Sequence, residues 1–156
     1  MIRAALIAVL TAAVFASAAQ AETITFSVIS VNLSVKATDL RPKGTSKGDT
    51  IVYRNRLLNT APRFGRPKGA VVGSDRGTLT FTGAHTARYA GIAILPNGTV
   101  RLAGIVTPLA NGVLQFRVAG GTGRYAKATG TVLVGAGSKR VLNTYHLTLP
   151  SGGNVA

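Results

Sequence analysis

The sequence predicts an all-β domain, an eight-stranded antiparallel β-barrel. Three features predict it. From Glu22 onward the chain breaks into about eight short runs of alternating or β-branched residues, each bounded by Gly, Pro, Asn or Ser. Asn97-Gly98 and Asn111-Gly112 fall between such runs, and Asn-Gly is the strongest short hairpin signal because both central turn residues need positive φ. No capped run with helix period follows Glu22, so strand joins strand through local antiparallel connections, a pattern suited to a barrel. Gly91, Gly104 and Gly130, inside the runs, fit the corners where a small barrel bends.

Met1 to Ala21 reads as an export signal. Arg3 supplies the positive start, Ala4 to Ala16 the apolar segment, and Ala19-Gln20-Ala21 the A-x-A cleavage site. The apolar segment is short and Ala-rich for a membrane span, so no transmembrane segment is expected once the signal is removed. The expected product, residues 22–156, is a single secreted, extracytoplasmic domain long enough for a real core. It has no cysteine, so packing alone must hold it, without disulfides.

The strands follow in order. Glu22 to Ser34 alternates Thr23, Thr25 and Ser27 with Ile24, Phe26 and Val28. Arg41 to Gly48 is a basic loop punctuated by Pro42, Gly44 and Gly48. Asp49 to Leu58 is the second strand, with Ile51, Tyr53, Asn55 and Leu57 on one face. Asn59 to Gly69, with Pro62, Gly65 and Pro67, is a second basic loop. A meander completes the chain: Gly77 to Phe81, Thr86 to Leu95, Thr99 to Val106, Val113 to Ala119, Thr131 to Gly135 and Val141 to Leu149.

Between the sixth and seventh strands lies Val118-Ala119-Gly120-Gly121-Thr122-Gly123-Arg124-Tyr125-Ala126-Lys127-Ala128-Thr129-Gly130. Gly121 to Ala126 fits the dinucleotide pattern G-x-G-x-x-G/A. That pattern needs a helix next and an acid about 20 residues on; here a β run follows at once and no Asp or Glu occurs after Asp75. Residues Gly120, Gly121, Thr122, Gly123, Arg124, Tyr125 and Gly130 instead resemble the glycine loop of the allene oxide cyclase and dirigent-protein superfamily. Lys47-Gly48-Asp49-Thr50-Ile51-Val52-Tyr53 resembles an early strand of its bacterial members, and Gly77 to Phe81 falls where their next strands begin. The resemblance covers roughly residues 47–149. It implies a calycin-like eight-stranded antiparallel barrel, often a homotrimer, whose chemistry is mainly steric. It also implies an Arg and an Asp in the cavity, with Asp49 and Arg54 or Arg101 as the nearest counterparts.

Composition excludes several chemistries. There are 4 acidic residues and 2 histidines, and no His-x-x-x-His or Glu-x-x-His spacing, so neither a metal nor another cofactor is expected. A Ser-His-Asp hydrolase is disfavoured, since it would require His85 or His146 to meet one of Asp39, Asp49 or Asp75. Paired-carboxylate glycosidase chemistry lacks the acids for a pair. The 18 basic residues give a formal net charge of +14, which favours anionic partners. No aromatic run interleaves them to stack bases, so nucleic acid is disfavoured.

A barrel of this size either fills its interior or holds one small ligand. One consistent phase turns Leu114, Phe116 and Val118 inward with Val100, Leu102, Gly104 and Val106, opposite Val141, Asn143, Tyr145 and Leu147. Tyr53, Asn55, Asn143, Tyr145 and Arg101 are the candidate polar groups of the cavity. The leading expectation is a barrel that binds a small hydrophobic molecule and steers its cyclisation or coupling without a cofactor, as an isomerase-like or dirigent-like guide. The alternative is a non-enzymatic basic module that docks on an acidic polymer or anionic surface through Arg41, Lys43, Lys47, Arg63, Arg66 and Lys68, provided their loops converge.

Overall fold

The computed structural model describes residues 20–40, 43–106, 112–135, 137 and 139–150. It is a closed barrel of eight strands in sequence order. The strands are β1 (Glu22–Thr38), β2 (Thr50–Asn59), β3 (Val71–Phe81), β4 (Ala87–Leu95), β5 (Gly98–Val106), β6 (Leu114–Gly123), β7 (Thr129–Val134) and β8 (Arg140–Leu149). Every neighbouring pair is antiparallel, and β1 closes the barrel on β8 from Glu22 opposite Leu149 to Val31 opposite Arg140. No described residue is helical. The expected signal segment lies outside the described residues except for Gln20 and Ala21.

Three boundaries differ from the sequence reading, each for a local reason. β1 runs on to Thr38 through a register shift between Asn32 and Ser34, so a bulge carries the strand past the expected stop. β3 begins at Val71, not Gly77, because Gly73 pairs with Leu57 within the ladder and does not end it. The hairpin between β4 and β5 is centred on Pro96-Asn97, with Leu95 paired to Gly98. Asn97 takes φ 72°, the left-handed second position of a turn whose first position suits proline. Of the second Asn-Gly pair, Asn111 lies outside the described residues.

Consecutive connections fall at alternate ends of such a barrel. The β2–β3, β4–β5 and β6–β7 connections share one end, and that end is plugged. The glycine stretch there is half strand and half turn. Val100 pairs with Gly121 and Leu102 with Val118, so β6 holds one extra residue, and Gly120 absorbs it at φ 96°. A Cβ on Gly121 would lie 2.0 Å from the Thr99 carbonyl oxygen, so β5 and β6 approach this closely only with glycine there. Arg124 N–H donates to the Asn97 carbonyl at 2.8 Å, and Ala128 N–H donates to the Tyr125 carbonyl at 3.0 Å. The turn thereby drives Tyr125 into the barrel end, where it is 1% exposed. Phe64, from the β2–β3 connection, packs edge-on to Phe26 at 5.6 Å between centroids. Val72, Leu95 and Leu149 complete the plug.

The inward phase is visible in burial. Leu57, Val100, Phe116, Val118, Val132, Tyr145 and Leu147 are buried, while Arg54, Arg56, Arg101, Arg117 and His146 between them are exposed.

Because Tyr125 fills the barrel end with its ring, Tyr125→Ala should lower unfolding free energy by about 3–5 kcal/mol in urea denaturation. Its hydroxyl reaches only the Pro96 carbonyl, at 3.5 Å, so Tyr125→Phe should cost less than about 1 kcal/mol.

Candidate functional site

The opposite end carries the β1–β2, β3–β4, β5–β6 and β7–β8 connections, and there the described residues do not fill the interior. A cavity of about 240 Å³ opens from that end. Val35, Ile51, Leu79, Leu114, Val134 and Val141 form its upper wall, and Leu102, Phe116 and Val132 its lower wall. The strands supply these side chains because alternate residues face inward.

One side of the cavity is polar. Asn143 on β8, Ser30 on β1, Asn55 on β2 and Asp75 on β3 come from four adjacent strands and all line it. Asn55 lies directly opposite Asp75 in the β2–β3 ladder. Asn143 Nδ2 donates to Ser30 Oγ at 2.5 Å, and Ser30 Oγ donates to Asp75 Oδ2 at 3.0 Å. Asp75 is 9% exposed. Burial raises its pKa above the usual carboxylate value, and the Ser30 hydrogen bond to Oδ2 works against that rise. Asp75 Oδ1, Asn143 Oδ1 and Tyr145 Oη are buried without a partner among the described residues. Such atoms cost about 1–3 kcal/mol each when left unsatisfied.

Tyrosines make the other polar feature. The Tyr53 and Tyr89 hydroxyls are hydrogen-bonded to each other, and their rings are parallel within 6°. Room for them comes from two inward-facing glycines paired across β3 and β4, Gly77 and Gly91. A Cβ on Gly77 would lie 2.8 Å from both hydroxyls, and one on Gly91 would lie 2.1 Å from that of Tyr89. Burial pushes the Tyr89 phenol up to about 12 and raises Tyr53 further. Tyr145, stacked on Phe26 at 4.8 Å, is raised well above the ordinary phenol value, by burial first and by Asp75 second. These phenols are therefore neutral at physiological pH and act as hydrogen-bonding groups.

Of the sequence candidates, Tyr53, Asn55, Asn143 and Tyr145 line the cavity. Arg101 does not: it sits between inward Val100 and Leu102 and projects outside, as Arg54 does between Tyr53 and Asn55. Asp49 is buried for a structural reason. Its carboxylate accepts backbone N–H bonds from Leu40 and Ser46, both at 2.7 Å, which lower its pKa and tie down the β1–β2 connection. The glycine-loop residues belong to the plugged end. Arg124 there meets Glu22 at 2.9 Å. The basic loops do not converge: Lys43 and Lys47 are at the open end, and Arg63, Arg66 and Lys68 at the plugged end. Arg41 lies outside the described residues. Arg63 lies over the Phe26 ring at 5.0 Å, and Arg66 donates to the Val71 carbonyl at 2.7 Å, so both serve the plug.

Sequence reasoning misses Asp75, Ser30 and Tyr89. Ser30 shares the phase of Phe26 and Val28, and Tyr89 that of Ala87, Gly91 and Ala93, where small neighbours signal room for a large ring. Asp75 is hidden when β3 is started at Gly77. His85 and His146 are exposed, and among the described residues no group of three or more His, Cys, Asp or Glu could hold a metal.

No family model matches the sequence, and no curated protein matches it. Solved structures do. A pyocyanin demethylase is similar with TM-score 0.65 and 22% identity over 79% of this chain and 99% of that one. The Diels-Alderase of Streptomyces koyangensis gives 0.64 and 22% over 86% of this chain and 68% of that one. A pterocarpan synthase dirigent protein gives 0.62 and 13% over 85% and 88%. The chain has the dirigent and cyclase barrel fold. The resemblance carried by Gly120 to Gly130 thus holds at the level of fold.

Asp75 gives a pH-dependent expectation. Its folded pKa is above the unfolded value, so the native state binds the extra proton between the two. Above the folded pKa the native state holds a buried charge, and each tenfold difference in proton affinity between native and unfolded states costs about 1.4 kcal/mol of stability there. That cost begins to fall as pH drops through the folded pKa and is gone below the unfolded one. Asp75→Asn, which keeps an acceptor for Ser30, should therefore raise the thermal midpoint at pH 8 by a few degrees, on the order of 2–4 °C per kcal/mol. The gain should shrink on acidification, as read by calorimetry across pH.

Proposed function

We propose that this barrel takes a small, mostly apolar molecule into its cavity and steers that molecule's cyclisation or coupling. One observation carries the reading: an open, apolar-walled cavity whose polar side contains a single buried carboxyl, Asp75, among the described residues. Apolar walls orient a guest by shape and exclude water. Holding a flexible guest in one folded conformer lowers the entropic part of a ring-closing barrier. Asp75 in its acid form can donate a proton or a hydrogen bond to an oxygen that becomes more basic as bonds rearrange. The neutral Tyr53–Tyr89 pair and Tyr145 offer further donors that need no charge. The Diels-Alderase and the pterocarpan synthase, both similar in fold, are named for a cycloaddition and for a synthase, which is in keeping with this reading. Export through the Met1–Ala21 signal is part of the same proposal.

The test is native mass spectrometry of the purified chain from its own host, followed by organic extraction. A stoichiometric apolar guest is expected. Leu114→Trp, which fills the cavity from its half-buried upper wall, should release it while the fold survives. Asp75→Asn should keep the guest and slow its conversion by about 10²–10⁴-fold, the usual contribution of a positioned acid. An empty barrel that no apolar compound stabilises against heat would sink the proposal.

A further inference from the structure

We infer that the guest of this cavity carries a neutral hydroxyl-type group, and that Asp75, Asn143 and Tyr145 grip it from the cavity's polar side. This rests on the reading of the cavity as a small-molecule site and names the chemistry it selects. Asp75 Oδ1, Asn143 Oδ1 and Tyr145 Oη are three buried polar atoms without a partner among the described residues. Their residues are 9%, 5% and 0% exposed and all line the cavity. Asn143 and Tyr145 are two positions apart on one face of β8, so they stand side by side.

The partners already made set what remains. Ser30 Oγ has one proton, and Asp75 Oδ2 accepts it; Ser30 in turn accepts from Asn143 Nδ2. The free oxygen of Asn143 is then acceptor-only and needs a proton from elsewhere. Tyr145 has one proton to give, and the free oxygen of Asp75 donates in the acid form. A guest that satisfies this set must donate to Asn143 and accept from Tyr145 or Asp75. The hydroxyl of a phenol, enol or alcohol does both with one atom. A ketone or ether has no proton for Asn143. A carboxylate lacks that proton too. An ammonium would pass Lys139, which lines the cavity, on a chain of net charge +14. A site built to bond a hydroxyl discriminates sharply against analogues without one, because its own buried groups are then unpaired.

Four probes of one shape test this by calorimetry at pH 7: naphthol, methylnaphthalene, naphthoate and naphthylmethylammonium, all substituted at the same ring position. Naphthol should bind tightest, by at least about tenfold over methylnaphthalene. Tyr145→Phe and, separately, Asn143→Ala should narrow that ratio toward unity, since each removes one partner of the hydroxyl. Equal affinity for naphthol and methylnaphthalene would overturn the inference and leave the cavity reading standing, with bound water satisfying the three atoms. Tighter binding of the naphthoate or the ammonium would overturn it likewise. Failure of every probe to bind would overturn both the inference and the cavity reading.

Discussion

Closure of the sheet on itself is the constraint from which the rest follows. The ten-residue pairing of β1 with β8 removes both sheet edges and commits alternate residues of every strand to one enclosed interior. A closed eight-stranded barrel has an interior only wide enough for side chains or one small guest. This chain uses both options along one axis. At one end the β2–β3 and β6–β7 connections push Phe64 and Tyr125 inside, and the core is continuous. At the other end the inward residues are Val35, Ile51, Leu114, Val134 and Val141, which do not reach across, and a cavity is left.

The interior is apolar except where it is costly not to be, and that exception is organised. Asn143, Ser30, Asn55 and Asp75 form a band across four neighbouring strands, so each can lean on the next. Even so, three oxygen atoms in the cavity lining have no partner among the described residues. A fold without disulfides, held by packing alone, keeps such a defect only against substantial compensation elsewhere. The compensation is visible in the plugged end, in the stacked Phe26–Tyr145 pair and in the Gly77–Gly91 pair that lets two phenols meet. The filled core lies at one end, and the unpartnered polar atoms line the cavity at the other.

Charge is distributed by the same logic. The arginines of the strands alternate outward, and among the described residues Lys43 and Lys47 sit at one end and Arg63, Arg66 and Lys68 at the other, so these loop cations form no single patch. Inside, burial works against charge: the carboxyl of Asp75 and the phenols of Tyr53, Tyr89 and Tyr145 are all shifted toward their neutral forms.

The sequence by itself determined the class of fold, the number of strands and which residues of β2, β5, β6 and β8 share a face, while the closed barrel decided which face points inside. Period-2 alternation and turn residues are local signals, and a strand of known phase needs no neighbour to be read. That is why Tyr53, Asn55, Asn143 and Tyr145 were legible as candidate inward polar groups. Tertiary structure decided what those signals do not contain. Gly73 extends β3 because Leu57 pairs with it, and only then does Asp75 fall opposite Asn55. Arg101 is excluded from the cavity because Val100 and Leu102 hold the inward phase. Two basic loops that look alike in sequence lie at opposite ends because alternate connections of an antiparallel barrel must. Which end is plugged and which is open depends on how far side chains reach across the closed interior, a property of the assembled barrel and of no single strand.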